Sequence, residues 1–183
     1  MSSYACEQAA VEDISAGTSQ KLKPRLSLVD VCAAFAVAVL SACDDSGRVV
    51  DHSFGFDAIS DSPGITILDY RYGTSNAPGA SNTEERRQEG RSVQGTGTTG
   101  PMKVGGEMYV KWRINATGEV FEQTADLRNR LPRNMDGVTV YFMVEGRQLN
   151  VYAISKKPRD PGTPPVGPRI YDDRKVTRVF PAG

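Results

Sequence analysis

Few side chains in this chain can do chemistry, and their positions restrict what that chemistry is. The three cysteines, Cys6, Cys32 and Cys43, all lie in the first quarter of the sequence. The remainder is therefore expected to hold no disulfide and no thiolate metal site. The single histidine, His52, lies just ahead of the first strand-like run, where a histidine is more often a surface residue than a general base. Carboxylates pair at Asp44-Asp45, Glu84-Glu85 and Asp172-Asp173. Neighbours on a strand point to opposite faces, so these read as solvated charge and not as a shared acid–base site. Gly95-Thr96-Gly97 and Gly105-Gly106 lack the lysine of a phosphate loop and open no helix. The expectation is a non-enzyme without cofactors.

Cys43 is the cysteine with a context. Lys21, Lys23 and Arg25 form a basic flank, and Leu26 to Ala42 follows, its last twelve residues uncharged. That layout is a secretory signal, and the uncharged run is short of the roughly 20 apolar residues a spanning helix needs. The run ends Leu40-Ser41-Ala42-Cys43, which resembles the bacterial lipobox. The resemblance implies cleavage before Cys43 and acylation of it, residues 1–42 being removed and 43–50 forming a lipidated tether to a single β domain at 51–183. Each buried CH₂ contributes roughly 0.8 kcal/mol, so two or three acyl chains hold a protein where one does not. Asp44 and Asp45 resemble the inner-membrane retention signal of enterobacterial lipoproteins. The expected location is the periplasm, anchored to a membrane, with the inner one slightly favoured.

Charge excludes some partners. The chain balances 22 Lys and Arg against 22 Asp and Glu, and the part after residue 42 keeps 19 against 18. Signs interspersed in this way argue against nucleic-acid binding and against a polybasic membrane patch.

The elements that would position a site read as β-structure. Ser53 to Ile59 and Ile65 to Tyr72 are strand candidates around the turn Asp61-Ser62-Pro63-Gly64. In Glu107 to Ile114, Met108, Val110, Trp112 and Ile114 alternate with polar or amphipathic residues, which predicts a strand with Trp112 in the core. Asn115 to Gly118 turns the chain into a partner strand, Glu119 to Leu127. A second hairpin joins Val138–Val144 to Leu149–Ala153 through Glu145-Gly146-Arg147. Its other face, Tyr141, Met143, Tyr152 and Ile154, is apolar too, so either the chain itself covers it, the commoner case, or a partner does. Lys156 to Pro168, with five prolines, reads as a surface connection, and Lys175 to Phe180 as a last, edge strand. About seven strands without a convincing helix predict an all-β, mostly antiparallel fold, a small β-sandwich or open barrel.

Gly73 to Gly106 is glycine-rich and has no apolar periodicity, which predicts a long loop that is either disordered or functional. Such a loop is expected to be removable over Ala80 to Thr99 with the fold kept. Arg86, Arg87 and Arg91 lie in it, and Tyr70 and Tyr72 at the strand end feeding it. These five are candidate partner-binding residues, since interfaces favour arginine and aromatic anchors. Tyr141, Met143 and Tyr152 are the next candidates.

Met108 to Tyr152, with Pro164-Pro165-Val166-Gly167-Pro168, resembles a family of small proteobacterial lipoproteins. The strand YVKWR, Asp126-Leu127-Arg128 with Leu131-Pro132, and QLNVY carry the resemblance. Genes for that family often neighbour phospholipase effectors of type VI secretion, towards which its members look like immunity proteins. The resemblance implies a membrane-tethered inhibitor that binds a secreted phospholipase. A structural or accessory envelope lipoprotein is the alternative.

Overall fold

The computed structural model describes residues 47–181. The expected signal segment 1–42, Cys43 and the beginning of the expected tether lie outside the described residues. Eight strands form two sheets: β1 (Val49–Asp57), β2 (Ile65–Tyr72), β3 (Gly95–Lys103), β4 (Glu107–Ile114), β5 (Val120–Asp126), β6 (Thr139–Glu145), β7 (Gln148–Pro158) and β8 (Arg174–Phe180). The larger sheet runs β3-β1-β6-β7-β8 and the smaller β2-β4-β5, a sandwich with no closed barrel. Every pairing is antiparallel except β1 with β6.

The two expected hairpins are present, β4 with β5 and β6 with β7, and Met108, Val110 and Trp112 point into the core. Trp112 stacks on Phe121 at 5.9 Å, and its indole N–H donates to the Gly146 carbonyl at 2.9 Å. That bond satisfies the one polar atom of the largest buried side chain.

β1 departs from expectation at both ends. It begins at Val49, inside the expected tether, and stops at Asp57, whose carboxylate accepts from the Ile59 and Ser60 N–H groups and starts a short helix, α1 (Ala58–Asp61). His52 is therefore within the strand. With Phe54 and Phe56 it points inward and is fully buried, not a surface residue.

The expected loop at Gly73 to Gly106 is mostly structure. Residues Glu84–Gln88 form a second helix, α2, capped by Thr83, and Gly95–Lys103 is β3, which pairs with all of β1. Asn82 and Gln94 bind the intervening chain to β2: the Gln94 amide donates to the Ile67 carbonyl and accepts from the Ile67 N–H, both at 2.9 Å. This side chain stands in for a missing strand at the exposed edge of the smaller sheet. The segment is not removable, because deleting Ala80 to Thr99 would strip one side of β1. Two glycines close its ends. A Cβ on Gly73, where φ is +52°, would stand 2.6 Å from Gly105 Cα, and one on Gly105 would stand 2.5 Å from the Tyr72 ring.

Lys156 to Pro168 is a connection only after Pro158, since β7 runs that far. The chain then returns across the outer face of the larger sheet through a 3₁₀ turn at Arg169–Tyr171.

Candidate interaction surface

The fold separates the expected site residues into core, structural ties and surface. Tyr70 and Tyr72 are core. Phe54 stacks on Tyr72 at 5.1 Å and on Phe142 at 6.3 Å, while Phe56 meets Tyr70 edge-on at 4.8 Å. The Tyr72 hydroxyl lies 3.2 Å from His52 Nε2, and His52 Nδ1 lies 2.9 Å from the Val50 carbonyl. A carbonyl only accepts, so Nδ1 carries the proton and Nε2 accepts from Tyr72. Burial pushes the Tyr72 hydroxyl up to about 12, a bond with the Gly105 backbone acting the other way. It remains a donor. These tyrosines are not surface anchors, which corrects the expectation for both.

Tyr141, Met143 and Tyr152 are also buried, and the chain itself covers them. Tyr171 packs edge-on against Tyr141 at 5.8 Å, and Gly167 lies against the Tyr152 ring. This apolar outer face is closed by α1 and the returning segment, which leave only the edge of Met143 at the rim of a groove.

The arginines differ among themselves. Arg87 is a tie: it bonds Asp69 at 3.1 Å, the Asn82 carbonyl at 3.2 Å, and Glu84. Arg91 is exposed and pairs with Glu89, while Arg86 is half-buried near the Tyr70 hydroxyl. Arg91 faces solvent as expected, and Arg87, though exposed, is held by its three partners.

A different surface is assembled from residues distant in sequence. α1 and the 3₁₀ turn, more than a hundred residues apart in sequence, are locked together by Asp61. Its buried carboxylate accepts from the Tyr141 hydroxyl at 2.8 Å and from the Arg169 N–H at 3.3 Å, and the Arg169 guanidinium lies 3.8 Å away. That guanidinium also donates to the Ser60 carbonyl. Burial and the neighbouring Asp61 charge push the Tyr141 hydroxyl up, so it too stays a donor. Beside this network, the Ser62 hydroxyl accepts from the Val144 N–H at 2.8 Å and satisfies β6 beyond the reach of β1.

The result is a fixed knob presenting Ile59, 79% exposed, and Ile170, 61% exposed. On one side Ile59, Pro63, Met143 and Arg169 line a shallow groove. On the other, Ile170 and Tyr171 wall a trough of about 190 Å³ floored by Gly55 and Gly97. Two large aliphatic side chains outside, flanked by arginine, tyrosine and methionine atoms, match the composition of a contact patch. The signal for them is parity and isolation: Ile59 falls out of step with the inward Phe54, Phe56 and Ala58, and Ile170 stands among turn-forming residues.

Among the described residues no three His, Cys, Asp or Glu side chains lie together as metal ligands would. Comparisons with protein-family models, with curated proteins and with solved structures find no match to this chain.

Proposed function

We propose that this chain is an envelope lipoprotein that acts by binding. Cys43 carries the acyl chains, the sandwich stands on the periplasmic face of a membrane, and the partner is a secreted phospholipase that it inhibits. The Leu40-Ser41-Ala42-Cys43 sequence supports the anchor, and the YVKWR, DLR and QLNVY segments support the kind of partner. The observation that carries binding is the knob. Ile59 and Ile170 contribute nothing to the core, yet a buried carboxylate network holds them rigidly outside. A rigid apolar pair meets a partner with little loss of conformational entropy. An inhibitor tethered beside the membrane is also concentrated where a lipase acts.

The test is inhibition of a type VI secreted phospholipase, sought first among the products of the adjacent genes, measured as hydrolysis of phospholipid vesicles with and without the acylated protein. Full inhibition by wild type is expected. The pair Ile59→Asp and Ile170→Asp should weaken it by about 30-fold or more, equivalent to the 2 kcal/mol of an interface hot spot. The variant's Tm should be unchanged, because neither side chain is buried. No inhibition by wild type would overturn the functional reading. Undiminished inhibition by the double variant would move the contact elsewhere, with α2 and Arg91 next.

A further inference from the structure

Charge that is even along the sequence is gathered by the fold at one end of the larger sheet. β1, β6 and β8 begin at that end and β3 and β7 finish there, as the pairings Val49 with Lys103, Ser53 with Thr139, Thr139 with Ile154 and Pro158 with Arg174 require. Each strand brings a cation: Arg48 before β1, Lys103 closing β3, Arg133 ahead of β6, Lys156 and Lys157 near the end of β7, and Arg174 opening β8. All six are exposed.

The row is continuous. Arg48 donates to the Arg133 carbonyl at 2.6 Å, the Val104 N–H donates to the Arg48 carbonyl at 2.9 Å, and Lys156 lies across Gly137, whose N–H donates to the Asp51 carbonyl at 2.9 Å. Carboxylates at this end are Asp51, Asp136, Asp172 and Asp173, with Asp160 nearby. Asp173 is matched by Arg174 at 3.4 Å and Asp160 by Lys175 at 2.9 Å. Lys103, Arg133, Lys156 and Lys157 form no ion pair among the described residues. Val49, 61% exposed, stands among them. At the opposite end β1 and β6 close on Asp57 and Glu145.

We infer that this cationic end seats on the anionic phospholipid headgroups of the membrane in which Cys43 is anchored, an inference that rests on the acylation proposed above. Five residues, Asp44 to Arg48, separate Cys43 from Val49. Fully extended they span about 18 Å, roughly two Debye lengths at physiological salt, which bounds the distance of Val49 and the β1 end of the row from the anchor. Asp44 and Asp45 oppose the attraction, and the row across five strands exceeds them. Lysine and arginine held this close to an anionic surface are attracted, and an exposed valine reaches the interface. Seating fixes the domain's attitude. α1 follows the far end of β1, so the Ile59 and Ile170 knob is raised away from the lipid.

The test uses the acylated protein reconstituted in vesicles of phosphatidylcholine, alone or with phosphatidylglycerol, and reads amide hydrogen exchange. Phosphatidylglycerol should slow exchange in peptides covering residues 48–51, 101–104 and 133–137 by about fivefold, roughly what one cation's attraction supplies. Peptides covering 57–61 and 145–147 should not change. Lys103→Glu with Lys156→Glu and Lys157→Glu, or the milder Gln set, should abolish the protection, unchanged exchange at 57–61 serving as the check on folding. An acylated protein exchanging equally over both lipids overturns this inference alone. Equal protection by inorganic phosphate over neutral vesicles assigns the row to free anions and also overturns it. A chain that carries no acyl group overturns the anchoring reading, and this inference with it.

Discussion

Protonation of a single ring should govern how the stability of this domain depends on pH near neutrality. His52 is the chain's only histidine, so the perturbation is clean. Burial lowers its pKa from the ordinary 6.5, and the Val50 carbonyl and the Asp51 charge act the other way without prevailing. The folded state thus keeps the ring neutral, donating from Nδ1 to Val50 and accepting at Nε2 from Tyr72, whereas the unfolded chain takes up a proton below about pH 6.5. The unfolded state therefore binds more protons. Stability is fully present well above that pH and falls as pH drops towards the depressed folded value, by about 0.7 kcal/mol per pH unit around pH 6.5 and by at most about 1.4 below it. For a domain of this size that is about 2 to 3 °C of Tm per unit around pH 6.5. Scanning calorimetry from about pH 7.5 to 5.5, above the range in which ordinary carboxylates titrate, reads this slope directly. His52→Gln, which can bond but not titrate, should lower Tm throughout and flatten the profile. A flat wild-type profile, or a Gln variant that keeps the slope, would refute the reasoning.

Trp112→Ala should destabilise the domain by about 3 to 5 kcal/mol in denaturant titration, the range for emptying a buried aromatic site. A loss below 1 kcal/mol would mean that the indole is not the wedge between Phe121 and Gly146. Gly105→Ala should cost about 2 to 3 kcal/mol, because its Cβ meets a tyrosine ring pinned between His52 and Phe54, while Gly97→Ala, with nothing within 4 Å, should be neutral to about 0.5 kcal/mol. Equal effects at the two glycines would contradict the close approach.

How far the sequence could be read followed the range of the physics behind each element. The hairpins β4–β5 and β6–β7 were legible because alternation and turn are both local, and Trp112 falls on the inward side by simple parity. Tyr70 and Tyr72 point inward because β2 carries a bulge, which their position at a strand end does not reveal. Ile65 and Ile67 point inward on odd numbers, the register shifts between Ile67 and Asp69, and the inward positions become even. Uninterrupted parity would have buried Asp69 and Arg71. β3 was hidden because Gly-Thr-Gly-Thr-Thr-Gly has no hydrophobic alternation. It is a strand through pairing with β1, whose Phe54 and Phe56 supply the burial that its own residues lack. The knob at Ile59 and Ile170 depends on one contact spanning more than a hundred residues, Asp61 to Arg169, which no local pattern encodes.

The placement of β1 in the middle of the larger sheet has a kinetic consequence. It is the first strand to be synthesised, yet its neighbours are β3, whose Lys103 faces Val49, and β6, whose Thr139 faces Ser53. Neither neighbour can be recruited without closing a loop of some forty to ninety residues, so local pairs form earlier. The β6–β7 hairpin, joined by two residues, is the natural nucleus, and β1 docks onto it late. Until Glu145 has been made, Phe54 and Phe56 lack β6 on one side and Phe142 above them, and remain a partly exposed aromatic segment open to aggregation or to capture by a chaperone. Mutations there should leave the folding rate nearly unchanged and accelerate unfolding, whereas changes at Val140 or Val151 should slow folding itself.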